Sequence, residues 1–497
     1  MALLNIHTVS AQMDVNFNAR IINFRMVEEG KYTVYRIQLT VDTYTWTVER
    51  RYSDFDAYDV QRFLDRKKSF LPPKKCIGNK DLEFIEERRI ELEKYVRALL
   101  ELEVWYQKQK NVHSLPLITA KFFDFHQYEI HSIVDDLSLR LGNLGDGWLE
   151  SSHASPKYFE FTPIELHAIM ERLRLPEPTA PDVNMVADIG NTIDFLHRVR
   201  ALKIRGQKGY VGTSNIVWNS LDMSLHFCKG LKALWIADSD VCRINGIKCV
   251  RETLRRLVVH YSMKRIKDFL FDEDDLETGV LVEEMDTWKS LEEIDFSFNE
   301  IKCFDESMRL LPEVRILNAS YNSITDIGSN LAFLSSLTEL DLSNNTITKL
   351  EAWNEKLGNV KKLILSENAI SDLSGLGKLY SLEYLDVKGN NIQCIEGVQG
   401  IGKLPCLEIL LLRDNPIRKL VEYRTKVLEL FGERNSELKL DGRRPEAREL
   451  DTVRVRMALR KAKEEKEERD RKRKERIEER IRYISGEDVS PSVTGSC

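Results

Sequence analysis

Six stretches between residues 291 and 415 share one pattern, L-x-x-L-x-L-x-x-N: 291-LEEIDFSFN, 314-VRILNASYN, 337-LTELDLSNN, 360-VKKLILSEN, 382-LEYLDVKGN and 407-LEILLLRDN. The asparagines stand at 299, 322, 345, 368, 390 and 415, spaced 23, 23, 23, 22 and 25 residues apart. A unit of that length cannot bury its own leucines, whereas stacked units share one core, so the pattern demands a solenoid. Each unit is expected to supply one short strand, with its asparagine bonding neighbouring backbone along the turn. Two degenerate copies, 231-LKALWIADS and 254-LRRLVVHYS, precede the series, and an acidic run, 272-DEDD-275, interrupts it. After Asn415-Pro416 the segment 423-YRTKVLELFGERNSELKLDG-442 breaks the period and reads as the cap a solenoid needs over its last exposed core.

The pattern resembles the leucine-rich repeat. Residues between the leucines of each strand face outward, onto the concave surface. Glu293, Asp295, Glu339, Asp341 and Asp386 make that surface acidic in the earlier and middle repeats. Ile364, Tyr384, Lys388, Ile409, Leu411 and Arg413 make it apolar with basic edges in the later ones. Apolar residues at exposed positions are informative, and interface energy concentrates in aromatics. The expectation is a partner segment anchored at Tyr384. The plainer alternative is that the 417–442 cap folds over Ile409 and Leu411.

Upstream, 15–48 alternates as strands, with 32-YTVYRIQLTV-41 and 44-YTWTV-48 joined by a short turn at Asp42-Thr43, and predicts a three-stranded antiparallel meander. Helical spacing follows at Phe55, Tyr58, Phe63 and Leu64, then 71-LPPKK-75, then a long amphipathic helix over 82–103. Thr162-Pro163-Ile164-Glu165 is a helix start with a cap, a proline at the first position and an acid three residues after the cap. From Lys463 to Arg476 no residue is apolar, which predicts a solvated charged helix, or one that needs a partner. The expected organisation is a multidomain α+β chain: an α+β domain over 12–126, a helical bridge and linker over 127–225, repeats with their cap over 226–442, a charged helix over 443–484 and a disordered tail over 485–497.

The net charge of −6 and a 42% hydrophobic content fit a soluble chain, and no apolar run reaches the length of a membrane span. The start has neither a basic n-region nor an apolar h-region, so it does not read as a secretory signal. The eight cysteines form no C-x-x-C pair, which points to reduced thiols. The nine histidines form no H-E-x-x-H, and no G-x-S-x-G occurs. Neither cofactor nor metal is expected. The stretch 397-GVQGIGKL-404 nearly spells a phosphate-binding loop, but Leu404 stands where magnesium needs a hydroxyl. A cryptic nucleoside triphosphatase at Gly397–Lys403 is the weakest alternative.

Against the global charge, Arg50 to Arg89 holds eleven Lys/Arg and eight Asp/Glu. Arginine suits phosphate because its planar fork donates two hydrogen bonds at once. On a strand only one of Arg50 and Arg51 can face a pocket. The sequence 50-RRYSDF-55, then 71-LPPKK-75, then R-R-x-x-L-x-x-Y from Arg88 resembles the phox-homology (PX) phosphoinositide-binding domain over about residues 12–126. The resemblance implies that Arg51 grips a 3-phosphate, Tyr52 stacks beneath the inositol ring, Lys74 meets the 1-phosphate and Arg88 binds the 4- and 5-hydroxyls. Ile77 and Leu82 fall in the loop that such domains dip into a bilayer.

The order of parts, with 210-YVGTSNI-216, 356-KLGNVKKL-363, 378-KLYSLEYLD-386 and 422-EYRTKVLELFGER-434, is similar to a short, invertebrate-like form of the nischarin family. The likeness implies a non-enzymatic scaffold, cytoplasmic and peripheral on early and recycling endosomes, that binds phosphatidylinositol 3-phosphate. It further implies Rac- and Rab-type small GTPases and p21-activated kinase as partners, and a role in restraining cell migration. Longer members continue beyond this point, so their integrin-tail and imidazoline-ligand properties are not carried over. The alternative within the binding class is a sorting-nexin-like cargo adaptor.

Overall fold

Alternating apolar residues set three strands side by side: β1 (Phe17–Val27), β2 (Tyr32–Val41) and β3 (Tyr44–Arg51), an antiparallel meander in sequence order. The computed structural model describes residues 17–27, 32–41, 44–64, 69–74, 81–110, 115–154, 157–174, 189–211, 216–271 and 281–485. They divide into two units, 1–300 with 305–313, and 301–304 with 314–497. The Asp42-Thr43 turn, the proline-rich linker from 175 to 183, the acidic run at 272–275 and the tail from 486 lie outside the described residues.

In the first unit, Ile37 faces Val48 and Leu39 faces Trp46 across the β2–β3 ladder, and these side chains are buried. The β1–β2 register shifts between Ile21 and Asn23, a bulge that turns Ile22 out of the pairing. Helices α1 (Tyr52–Arg62) and α2 (Leu82–Lys110) complete the core, α1 through Phe55 and Tyr58, α2 through Leu92, Val96 and Leu99. Leu64, expected on the inner face of α1, is 81% exposed because the helix stops at Arg62. Helix α2 runs seven residues past the expected end at 103. Glu103 is fully buried and accepts from Arg62 at 2.7 and 3.0 Å and from Thr119 at 3.1 Å, so its charge is paired.

Helices α3 (Leu117–Phe122), α4 (His126–Ala154), α5 (Pro163–Arg174) and α6 (Ile189–Arg198) follow. The cap of α5 forms as its sequence requires: Thr162 N–H donates to Glu165 at 2.8 Å and Glu165 N–H returns to the Thr162 hydroxyl at 3.4 Å. The segment 127–225 is not a helical bridge alone. It holds β4 (Phe159–Phe161) and β5 (Ala201–Arg205), parallel to each other, and β5 pairs with β7 (Ala233–Ala237). It also holds β6 (Met223–Ser224), which pairs with β8 (Ile244–Asn245). The parallel ladder continues through β9 (Arg256–His260) to β10 (Glu293–Asp295). The stacking thus begins well before residue 226. Ala201, Leu202 and Ile204 are buried like any repeat leucine, but 201-ALKIR carries no ladder residue to betray it. In the degenerate copies serine does the asparagine's work: Ser239 N–H donates to the Ser262 hydroxyl at 3.1 Å, and Ser262 N–H to the Asn299 side chain at 2.9 Å.

In the second unit β11 (Ile316–Asn318), β12 (Glu339–Asp341), β13 (Lys362–Ile364), β14 (Tyr384–Asp386), β15 (Ile409–Leu411) and β16 (Lys439–Leu440) pair in parallel, each with the next. Leu340, Leu363, Leu385 and Leu410 are buried in one stacked row. Asn345 accepts from Ile324 N–H at 2.9 Å and donates to the carbonyls of Ala319 and Leu342, both at 3.0 Å; Asn368, Asn390 and Asn415 repeat the arrangement.

The cap stands beside the strand of Ile409 and Leu411, both half-buried. It extends the sheet as β16 beside β15, and its helix Tyr423–Glu429 buries Val427 and Leu428. The terminal helix Ala447–Ser485 begins by packing: Val453 is fully buried, and Glu449 pairs with Arg424 at 2.7 Å. From 461 to 481 every residue is exposed, as the all-polar run from 463 to 476 requires, and Ile477 and Ile481 beyond it are exposed as well.

Candidate functional site

Strand β3 ends where α1 begins, and the two arginines at that junction part company. The Arg50 guanidinium turns into the domain, donating to the carbonyls of Phe122 at 2.8 Å and Lys121 at 3.2 Å and pairing with Asp124 at 2.9 Å. Arg51 turns out; its side chain is 56% exposed, and Asp54 in the first turn of α1 accepts its Nε–H at 3.1 Å. The Arg51 guanidinium also lies 5.9 Å from the Tyr32 ring.

The next residue, Tyr52, donates its hydroxyl to the Pro72 carbonyl at 2.5 Å, which ties the proline pair to α1. Arg88 of α2 sits between two rings, 4.4 Å from Tyr52 and 4.3 Å from Phe84. One Arg88 nitrogen donates to the Pro73 carbonyl at 3.1 Å, while Nε is buried with no partner among the described residues. Burial raises the Tyr52 and Tyr35 hydroxyls above their ordinary value, and Arg88 opposes the rise in both. Lys74, 62% exposed, pairs with Asp56 at 2.5 Å. Tyr52 and Arg88 are therefore in direct contact, the carbonyls of Pro72 and Pro73 join them, and Arg51 and Lys74 project from the adjoining backbone with resident carboxylates. Leu82 is exposed at the start of α2; Ile77 lies outside the described residues.

Sequence reading missed three participants. Asp54 and Asp56 look like ordinary helix-start acids, yet each pairs with one of the exposed cations, Arg51 and Lys74. Phe84 reads as a loop residue, but it packs on Arg88. The signal was present, because residues 84 and 88 are four apart on one helix and so share a face.

On the repeats, the register sets Glu339, Lys362, Tyr384 and Ile409 in one row and Asp341, Ile364, Asp386 and Leu411 in the next. Ile364, Tyr384, Ile409 and Leu411 are each half-buried. The basic edges are committed: Lys388 pairs with Asp386 at 3.0 Å, and Arg413 donates to the Asp441 carbonyl. Lys362, unnoticed in the sequence, pairs with Glu339 at 2.9 Å beside Tyr384.

Two constellations with a catalytic look serve the fold instead. The Ser297 hydroxyl at 3.2 Å and the Asp295 carboxylate at 3.3 Å both approach Nε2 of His260, whereas a relay needs one on each ring nitrogen. In the phosphate-loop look-alike, a Cβ on Gly397 would stand 2.6 Å from the Ser371 carbonyl, on Gly400 2.6 Å from the Ser374 Cα, and on Gly402 2.6 Å from the Leu430 carbonyl. These glycines let neighbouring repeats close on one another.

The family model described as PX domain matches residues 38–115, and models described as leucine rich repeat match 312–355 and 335–392. A PX domain-containing protein kinase-like protein of Rattus norvegicus is 43% identical over 56 residues, 11% of this chain and 10% of its own length. The kinesin-like protein KIF16B of Homo sapiens is 46% identical over 68 residues, 13% of this chain and 5% of its own length. This chain thus spans a tenth or less of those relatives. An internalin of Listeria monocytogenes is 18% identical, with a TM-score of 0.34 over 52% of this chain and 79% of its own.

Proposed function

We propose that this chain, in which a PX domain precedes leucine-rich repeats, is a non-enzymatic adaptor that binds phosphatidylinositol 3-phosphate on endosomal membranes and recruits protein partners through its repeats. The observation that carries the lipid reading is Arg88. A buried guanidinium with an unpartnered Nε is costly, and an anionic or hydroxyl-rich headgroup relieves that cost. Arg51 and Lys74 add exposed cations beside it. Their carboxylate partners are weak competitors, because exposed ion pairs are worth about 0–1 kcal/mol.

In this reading Arg51 grips the 3-phosphate, Lys74 meets the 1-phosphate, Arg88 binds ring hydroxyls and Tyr52 supports the ring. Leu82 adds apolar contact with the bilayer, and so does Ile77. The repeats recruit Rac- or Rab-type small GTPases and p21-activated kinase, in keeping with the resemblance to the nischarin family. Attachment through the headgroup site is peripheral, in keeping with the PX match; among the described residues no helix is long and apolar enough to cross a membrane.

The test is flotation of the full chain with vesicles of phosphatidylcholine alone, or with phosphatidylinositol or phosphatidylinositol 3-phosphate added, followed by proximity labelling in cells. Selective flotation with the 3-phosphate is expected, together with small GTPases labelled by the wild type and lost with Arg51→Gln. Equal flotation with all three vesicles would overturn the lipid reading. Labelling of cargo-protein tails in place of GTPases would favour a sorting adaptor.

A further inference from the structure

The residue just before each ladder position adopts a left-handed backbone: φ is 54° at Asp238, 53° at Tyr261 and 56° at Phe298. Asparagine, aspartate and glycine tolerate that conformation; bulky side chains do not. Later repeats put Asn344, Gly389 and Asp414 there, with Tyr321 and Glu367 at the remaining two. At Tyr261 and Phe298 the strain is not returned as core packing. Tyr261 is 62% exposed and Phe298 36%, and their rings stack 5.6 Å apart at 30°. The left-handed turn recurs in every repeat and so belongs to the fold; what Tyr261 and Phe298 add to it is exposed aromatic area, the kind of surface in which interface energy concentrates.

The surroundings say what kind of group the rings receive. Ala237 pairs with His260, and Asp238 N–H donates to the His260 carbonyl at 3.2 Å, so Asp238 stands next to Tyr261 in the row. Its carboxylate has no partner among the described residues. Asp295 lies behind His260, and the aromatic surface runs on from His260 to Trp235, 6.0 Å away. Arg256 is neutralised by Glu293 at 3.5 Å, and Arg205 lies two strands from His260, in the row of Ala237 and His260. The same face already seats one cation in this manner: the Lys203 ammonium rests 4.9 Å from the Trp235 ring and pairs with Glu160 at 3.1 Å. We propose that Tyr261 and Phe298 seat a lysine or arginine side chain from a basic segment of a partner protein, with Asp238 as its counter-ion. This surface goes beyond the site assigned to Tyr384 and does not depend on it.

The test uses the full chain and short fluorescent peptides of alternating arginine and serine, glutamate and serine, or leucine and serine. The arginine peptide is expected to bind best. Tyr261→Asn with Phe298→Asn should weaken it about tenfold while leaving net charge unchanged, so general attraction to an acidic protein stays constant. Asparagine suits the left-handed backbone, so the melting temperature of that variant should hold or rise. Asp238→Asn should weaken binding and flatten its salt dependence. Unchanged affinity in the double variant would overturn the proposal, as would equal binding of the leucine peptide. A fall in melting temperature would show that the rings serve the fold instead.

Discussion

The carboxylate of Asp54 accepts both the backbone N–H and the Nε–H of Arg51, at 2.9 and 3.1 Å. One acid thus opens α1 and holds an outward-facing guanidinium at its base. It also pairs that guanidinium's charge.

Arg51→Ala removes a charge-assisted contact, a kind worth about 1.5–3 kcal/mol, so vesicle binding should fall at least tenfold. Circular dichroism and melting temperature should stay near wild type, because the side chain is more than half exposed. Full binding by the variant would remove Arg51 from the site.

Arg50→Ala should do the reverse. It strips the Phe122 and Lys121 carbonyls and Asp124 of their donor, at a cost of about 1–3 kcal/mol in folding. The expected result is a lower denaturation midpoint with near-normal lipid affinity for the molecules that remain folded. Equal effects of the two substitutions on lipid binding would refute the division of labour between them.

Asn345→Ala leaves Ile324 N–H unpaired inside the stack and takes one of two donors from the Ala319 carbonyl, which keeps Asn322, and a buried orphan costs about 1–3 kcal/mol. Chemical denaturation should show a marked loss, well beyond that of a surface asparagine such as Asn391. A negligible change would mean that the ladder does not hold the repeats together.

Two truncations divide the terminal helix. Ending the chain at Ala462 should leave the melting temperature unchanged, since nothing apolar is uncovered. Ending it at Glu446 removes Val453 and the partner of Arg424, at a cost of about 2 kcal/mol. The Arg424 hydrogen bond holds the Glu449 carboxyl below its ordinary value. Its contribution is therefore present above the ordinary carboxylate range and lost as pH falls through the depressed value. The difference between the truncations should shrink on acidification; if it grows, the sign of that coupling is wrong.

Tyr384→Ala with Ile364→Ser should abolish partner pull-down while the chain stays folded and still binds vesicles. Both residues are half-buried on the open face, so their loss uncovers no core. Pull-down that survives this variant and disappears only on tail deletion would move the partner site to the terminal helix.

Local rules were enough for much of this chain. Period and leucine spacing determine a solenoid because no unit of that length closes its own core. Alternation determines the meander, and an all-polar run determines a helix with nothing to bury. What tertiary structure decided is which partner each such residue takes. Nothing local separates Arg50 from Arg51; the carbonyls around Phe122, about 70 residues away in sequence, capture one and leave the other. Nothing local marks 201-ALKIR as a repeat strand; it becomes one by stacking on β7. Tyr261 and Phe298 look like misplaced core residues until the turn geometry shows them outside and strained. Period and polarity are written along the chain because they act between near neighbours, whereas the fate of a single cation or ring depends on which distant backbone folding brings beside it.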